Sequence, residues 1–206
     1  MNRMKEIEKK RGRPRCFEKD EALDAALGVF LEHGYEGSSL DDLTNALGIN
    51  RPSLYSAFGN KEELFLTVLK RYHGRYYAYF TSLLEKGLAP KETISEWLSW
   101  FLENSRTQKE EQLGCLIVNS TLLAGENHPK IAEELKAFHD LNEKLLSDYF
   151  GSEIEKGRLS GDAAGLSQYY NAVVQGMAVL HRSQRDYSAL ENIASNAMKT
   201  LTGSTP

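Results

Sequence analysis

Apolar residues along this chain recur mostly three and four positions apart, the interval that gathers them on one face of an α-helix. Leu23, Ala26, Leu27, Phe30 and Leu31 form the first such stripe. It is closed at His33-Gly34, where glycine can take the left-handed conformation that ends a helix at small cost. Ser39 stands before Leu40–Leu47 and can accept from the free N–H groups of the next turn. Asp42, three residues on, supplies the reciprocal half of a capping box. Leu40, Leu43, Ala46 and Leu47 are the expected buried face of this short helix, and Gly48 is its stop. Asn50 then caps a third helix, Arg51–Phe58, with Pro52 in the first turn where a missing N–H is harmless. Leu54 and Phe58 point inward, and Arg51, Ser53, Tyr55 and Ser56 point elsewhere. Gly59 breaks the helix, and Asn60 with Glu63 opens a long fourth one.

Two short helices joined by a tight glycine turn have helix-turn-helix geometry. The same hairpin also serves as a plain packing unit that binds nothing. After about residue 84 the periodicity continues as a larger helical region. Lys91–Ser105 carries Ile94, Trp97, Leu98, Phe101 and Leu102 on one face, and residues 114–123 read as a buried helix. Pro129–Phe150 is a long amphipathic helix through Ile131, Leu135, Phe138, Leu141, Leu145 and Tyr149. Asp162–Arg182 and Tyr187–Leu201 are two more. The fold class this predicts is all-α.

Composition narrows the class. With 41% hydrophobic and 26% charged residues and five prolines in 206, the chain is that of a globular protein and not a disordered one. No apolar run approaches the roughly 20 residues of a membrane span. No apolar stretch follows the basic start, so a secretory signal is not expected. Two cysteines, Cys16 and Cys115, do not make a disulfide framework, and a reducing cytoplasm is the expected setting. The formal charge of −4 argues against nucleic acid, but its distribution argues for it. Residues 1–17 hold seven basic side chains against two acidic, a net +5 that leaves −9 on the remainder. Phosphate attraction is local, screened beyond about 10 Å, so one basic end on an acidic body suits a DNA-binding protein. A charged tail is also an ordinary solubilising feature.

The run Gly34-Tyr-Glu-Gly-Ser-Ser-Leu-Asp-Asp-Leu-Thr-Asn-Ala-Leu-Gly-Ile-Asn-Arg-Pro-Ser-Leu-Tyr-Ser-Ala-Phe-Gly-Asn-Lys-Glu-Glu-Leu-Phe65 closely resembles the tetracycline-repressor-like (TetR) family. The shared features are Gly-Tyr, a Ser pair opening the second helix and Ala-x-Gly-Ile at the turn. A small-Leu-Tyr in the recognition helix, a closing Phe and Lys-Glu-x-Leu complete them. The likeness covers about residues 18–66; beyond it only size and helicity agree. Pro52 stands where the family usually has Gly or Ala, and Gly59-Asn60 replaces the commoner Pro-Ser, so the operator is not transferable. The resemblance implies a basic arm (1–16), a three-helix helix-turn-helix DNA-binding domain (17–62) and a larger helical ligand-binding and dimerisation domain (63–206). It further implies a repressor that grips a palindromic operator as a homodimer and responds to a small-molecule inducer or an electrophile.

A recognition helix entering the major groove N-terminus first brings Asn50, Arg51, Pro52 and Ser53 nearest the base edges. Arg51 serves either as a bidentate contact to guanine, worth about 1–3 kcal/mol of discrimination, or as a phosphate clamp. Tyr55 is similar to the family tyrosine whose hydroxyl reaches a phosphate; otherwise it packs against the first helix. Ser39 and Lys61 sit at helix N-termini, where backbone N–H groups favour an anion. Arg11 and Arg13, in Arg-Gly-Arg-Pro-Arg, suit an arm for a narrow minor groove, or a tail with only diffuse attraction to DNA.

Aromatic stripes at helical spacing are usually core, yet here Tyr72, Tyr76, Tyr79, Trp97, Phe101 and Tyr170 are numerous enough to line an apolar cavity. Tyr169, Val173, Gly176, Met177 and Leu180, with Leu190, Ile193, Ala197 and Leu201, are expected to form a four-helix interface between two copies. Gly114-Cys115 at a helix start is similar to a branch of the family that includes electrophile-responsive repressors. A cysteine there gains thiolate character; the alternative is a small buried hydrophobe. As an enzyme, Cys115 would need His128 or His139 as its base, and nothing in the sequence brings them together. No cofactor or metal is expected, since the five histidines show no ligand pairing. An architectural or activating DNA-binding protein of the same fold remains the other reading.

Overall fold

A computed structural model describes residues 19–107, 114–121, 127–184 and 186–201, and every regular element among them is an α-helix. They are α1 (Lys19–Gly37), α2 (Leu40–Leu47), α3 (Arg51–Phe58), α4 (Lys61–Glu85), α5 (Pro90–Thr107), α6 (Leu116–Thr121), α7 (Pro129–Glu155), α8 (Ala163–Gln184) and α9 (Tyr187–Met198). Arg11, Arg13 and Cys16 lie outside the described residues, as does the end of the helix expected over 114–123.

The helix ends are set by local chemistry. Ser39 and Asp42 form the full capping box of α2, and Asn60 and Glu63 that of α4. Asn50 Oδ1 accepts from the Ser53 N–H at 2.9 Å to start α3. Gly48, at φ 64°, closes α2 with its N–H on Asn45 and Thr44 carbonyls. Gly34 breaks the ladder inside α1 at φ 70° and ψ 179°, after which the chain turns once more to Gly37. Two carbonyls beside that break are taken by a distant cation: Arg182 of α8 donates to Leu31 O at 2.8 Å and Glu32 O at 3.3 Å.

Two apolar cores result. The first joins Leu23, Ala26 and Phe30 of α1 to Leu43, Leu54, Phe58, Leu64 and Phe65, and extends into Ile117, Ile131 and Leu135. Phe30 meets Phe65 edge-on at 4.9 Å between centroids. The second gathers Phe80, Trp97, Leu146, Phe150, Tyr170, Met177 and Leu190. Helix α4 runs through both, and Arg71 and Arg75 on it pair with Asp24 of α1, Arg71 also with Asp20. No helix among the described residues is long and apolar enough to cross a membrane.

Three faces differ from the periodicity. In α2 the buried pair is Leu43 and Thr44, while Ala46 is exposed and Leu40 and Leu47 are half-buried. Thr44 tolerates burial because its hydroxyl donates to Leu40 O at 2.9 Å. In α7, Leu141 is exposed and Asn142 and Leu146 are buried, because this helix packs against α4, α6 and α8 and not along one stripe. Met177, Leu190, Ala197 and Leu201, expected between two copies, fill this chain's own core.

Candidate nucleic-acid interface

The outward face of α3 is built on two anchors. Leu54 is wholly buried and Phe58 nearly so, which turns Arg51, Pro52, Tyr55 and Ser56 to solvent and leaves Ser53 half-buried. Tyr55 is 48% exposed, an unusual position for an aromatic ring with core nearby, and its hydroxyl has no partner among the described residues. A large amphipathic side chain held out in this way is available to a partner.

Arg51 and Asp41 are paired across the helix-turn-helix. The guanidinium donates to one carboxylate oxygen, from Nε at 3.2 Å and Nη2 at 2.8 Å. Both side chains are more than half exposed, so the pair contributes little stability and is open to exchange. Its outer edge keeps free N–H donors.

At both helix N-termini the candidate side chains are engaged within the chain. Ser39 gives its backbone N–H to Asp42 at 2.8 Å and its hydroxyl to the same oxygen at 2.7 Å. Hydrogen bonds from Ser39 hold the Asp42 carboxyl below the usual carboxylate range. With Asp41 beside it, the start of α2 carries negative charge of its own. Lys61, at the start of α4, donates to Tyr35 O at 2.7 Å and Ser38 O at 2.8 Å and lies 4.5 Å above the Tyr35 ring. Partial burial lowers its pKa. Lys61 thus braces the corner between α1 and α2 with two of its three protons. Nothing in the local sequence marks this brace, which spans more than twenty residues of chain.

A cavity of about 340 Å³ opens at the seam of the two cores. Tyr72, Tyr76, Phe101 and Cys115, expected at a cavity, all line it, together with Trp100, Phe138, His139, Asn142, Asn171 and Gln175. Leu27 of α1 also reaches it. Trp97 and Tyr170, also expected there, are core residues; the Tyr170 hydroxyl is bonded to Ala197 O at 2.9 Å. Tyr79 sits behind the wall, stacked on Trp100 at 4.3 Å with its hydroxyl on Glu96 O. These three share a helical face with true lining residues, and only packing separates them. The polar residues Asn142, Asn171 and Gln175 were missed, because polar positions inside amphipathic helices carry no apolar signal.

Cys115 immediately precedes α6, half-buried, with Sγ 3.5 Å from the Tyr72 hydroxyl. Burial raises the Tyr72 pKa well above the ordinary phenol, so that hydroxyl stays protonated. Neither proposed base reaches the thiol: His128 pairs with Glu36, and His139 lies on Thr121 Oγ1 at 3.0 Å. Behind the cavity, His181 Nδ1 accepts from the Gly114 N–H at 3.3 Å, and burial holds its imidazole below its ordinary pKa.

Residues 22–68 match the profile of the bacterial regulatory proteins of the tetR family. Over 200 residues the chain is 34% identical to the HTH-type transcriptional repressor ComR of Escherichia coli (strain K12), covering 95% of this chain and 92% of that protein. The HTH-type transcriptional repressor BdcR of the same organism is 28% identical over 195 residues, covering 92% and 93%. Among solved structures, a cysteine mutant of the TetR family transcriptional regulator CifR, complexed with 26 bp double-strand operator DNA, superposes with a TM-score of 0.82. It is 32% identical and covers 91% of this chain and 99% of that one. With a helix-turn-helix at its N-terminus, a larger helical domain behind it and relatives of this kind matched along nearly its whole length, the chain belongs to the tetR family and is a transcriptional regulator, not an enzyme.

Proposed function

We propose that this regulator is a repressor that binds a palindromic operator as a homodimer and is released from it by a small molecule bound in the cavity. The observation that carries the reading is the outward face of α3, where Arg51, Pro52, Tyr55 and Ser56 stand free of the core on a helix fixed by Leu54 and Phe58. Repression is supported by the names of the two relatives matched along most of their length. Operator binding is supported by the complex in which the similar regulator CifR was solved. Its place of action is then the cytoplasm, where operator DNA is.

In this reading Asn50, Arg51, Pro52 and Ser53 meet base edges and Tyr55 gives its hydroxyl to a phosphate. Ser39 and Lys61 approach the backbone, Lys61 with the one proton its brace leaves over. Arg11 and Arg13 follow the minor groove. The reader is residues 17–62 and the remainder senses and dimerises. The partner copy docks on the side of α8 that faces away from the core, where Gly176 lies about two turns beyond Tyr169 (40% exposed) and Val179 (41% exposed) about one turn further. Glycine there lets two helices approach closely.

The cavity suits a sensor because its walls come from both cores. A molecule that fills it presses on α1 through Leu27 and on α6 through Ile117. The break at Gly34 and the Arg182 contacts then carry the change to the helix-turn-helix. Cys115, on the wall, is the nucleophile an electrophilic molecule would meet. Selection from random-sequence DNA with the purified chain tests the reading: enrichment of one two-fold-symmetric site is expected. Uniform binding to all sequences would replace it with an architectural role.

A further inference from the structure

The cavity also carries information about what enters it, an inference that rests on its being the sensory site. One side is aromatic. Trp100 is held flat by Tyr79 stacked behind it, and Tyr76 lies 6.0 Å from Trp100 and 6.1 Å from Phe138, centroid to centroid. Rings so spaced leave faces and edges open to a further ring.

The other side is a chain of neutral hydrogen bonds. The Tyr76 hydroxyl donates to Asn142 Oδ1 at 3.0 Å, and Asn142 Nδ2 donates to Asn171 Oδ1. Burial raises the Tyr76 pKa, so this phenol remains a donor and fixes the direction of the relay. The relay ends on Asn171 Nδ2, whose protons have no partner among the described residues. One turn further along α8, Gln175 brings a second amide to the cavity, likewise without a partner there. The Asn171 NH2 left over at the end of the relay and the Gln175 amide beside it form a place for one hydrogen-bonding group.

Charge is scarce at the site. Among the described lining residues, Arg75 alone bears a full charge at neutral pH, and its guanidinium is exposed and paired with Asp24 at 2.8 Å. Burial lowers the His139 pKa and so favours its neutral form. Among the described lining residues an anion would meet only a guanidinium already paired with Asp24, and a cation no opposite charge at all, so either would lose hydration without return.

We propose that the cavity takes an uncharged, planar aromatic molecule of about one or two rings carrying a carbonyl-type acceptor, as in an aryl carboxamide. Its ring lies against Trp100 and Phe138, its oxygen accepts from Asn171 Nδ2, and an amide N–H on it donates to Gln175 Oε1. The fit is by shape and neutral hydrogen bonds, and the same carbonyl group sets the ligand's orientation.

A matched series tests this on the full chain without DNA, by titration calorimetry. The probes are naphthalene-2-carboxamide, naphthalene-2-carboxylate, 2-naphthylmethylamine as its ammonium, and the fully saturated bicyclic carboxamide. The aromatic amide should bind at least about tenfold more tightly than each of the others. Asn171→Leu should remove about tenfold of its affinity while leaving far-ultraviolet circular dichroism unchanged. Equal or tighter binding of either ion, or of the saturated amide, overturns the proposal, and so does failure of the aromatic amide to bind the unaltered protein. Adding the aromatic amide to a protein–operator complex separates the two readings. Binding without release leaves the ligand class standing and sinks the sensory role of the cavity. Release that persists in Asn171→Leu with undiminished potency overturns the ligand's placement.

Discussion

The guanidinium of Arg51 rests side-on against one oxygen of Asp41, across the turn that joins α2 to α3. This spends the Nε–Nη2 edge of the arginine and leaves the end-on edge, Nη1 with Nη2, for a partner. That end-on edge still presents two parallel N–H donors, which suffice for guanine O6 and N7. In the proposed complex the carboxylate would act on DNA in two opposite ways, orienting Arg51 towards the bases and repelling phosphate.

Arg51→Ala is accordingly expected to relax base preference at one position of each half-site by about tenfold. Asp41→Asn should relax the same position by less and at the same time strengthen binding to random-sequence DNA, because a negative charge is gone from the interface. Selection experiments on both variants measure this directly. A loss that is equal for every sequence would place Arg51 on a phosphate instead.

Tyr55 and Lys61 should separate cleanly. Tyr55→Phe removes a hydroxyl with no partner among the described residues, so DNA affinity should fall several-fold on all sequences while the melting temperature stays where it was. Lys61→Met removes the cation that holds Tyr35 O and Ser38 O, so thermal stability falls as well. The slope of log affinity against log salt should flatten by about 1 if the third proton reaches a phosphate. An unchanged slope would leave Lys61 a brace only.

Acid should weaken the fold through His181. Its ordinary pKa is near 6.5, and burial lowers it in the native chain, where Nδ1 accepts from Gly114. The unfolded chain takes up the proton first as pH falls below that value. Stability is therefore full above about pH 6.5 and declines as the pH drops through the native pKa. His73 and His139 shift the same way, each mainly through burial. His181→Asn keeps an acceptor for Gly114 but cannot titrate, and melting curves across this range should show a shallower acid decline. The same decline in the variant would assign the effect to the other two.

Tyr169→Asp with Val179→Asp places charge on the exposed side of α8. Light scattering should then report a mass near that of one chain, with helix content retained and operator affinity much reduced. A dimer that survives both changes would move the interface elsewhere.

For Cys115, replacement by serine should leave DNA binding intact and abolish release by a thiol-reactive compound such as N-ethylmaleimide. Release that persists in the variant would make the cysteine a packing residue at the cavity wall.

The reader was legible in the sequence because its determinants are local. Capping pairs three residues apart, glycines at Gly34, Gly48 and Gly59, and the anchors Leu54 and Phe58 each act within one or two turns. The Gly34 stop, the two capping boxes and the outward face of α3 all follow from such short-range rules, and so does the all-α class. The basic arm is equally plain as composition, though Arg11 and Arg13 lie outside the described residues.

What the tertiary structure decided depends on which helices meet. Trp97, Phe101 and Tyr170 read alike along the chain, yet Phe101 lines the cavity while Trp97 is buried against Phe80 of α4 and Tyr170 against Phe150 of α7 and Ala197 of α9. Met177 and Tyr169 both looked like interface, and only one of them faces out. The hydrogen bonds that Lys61 gives to Tyr35 O and Ser38 O join residues more than twenty positions apart, and no short-range pattern announces them. A stripe of apolar residues says that a face will be covered. It does not say by what, because the covering surface comes from chain far away, whose approach no local interval records.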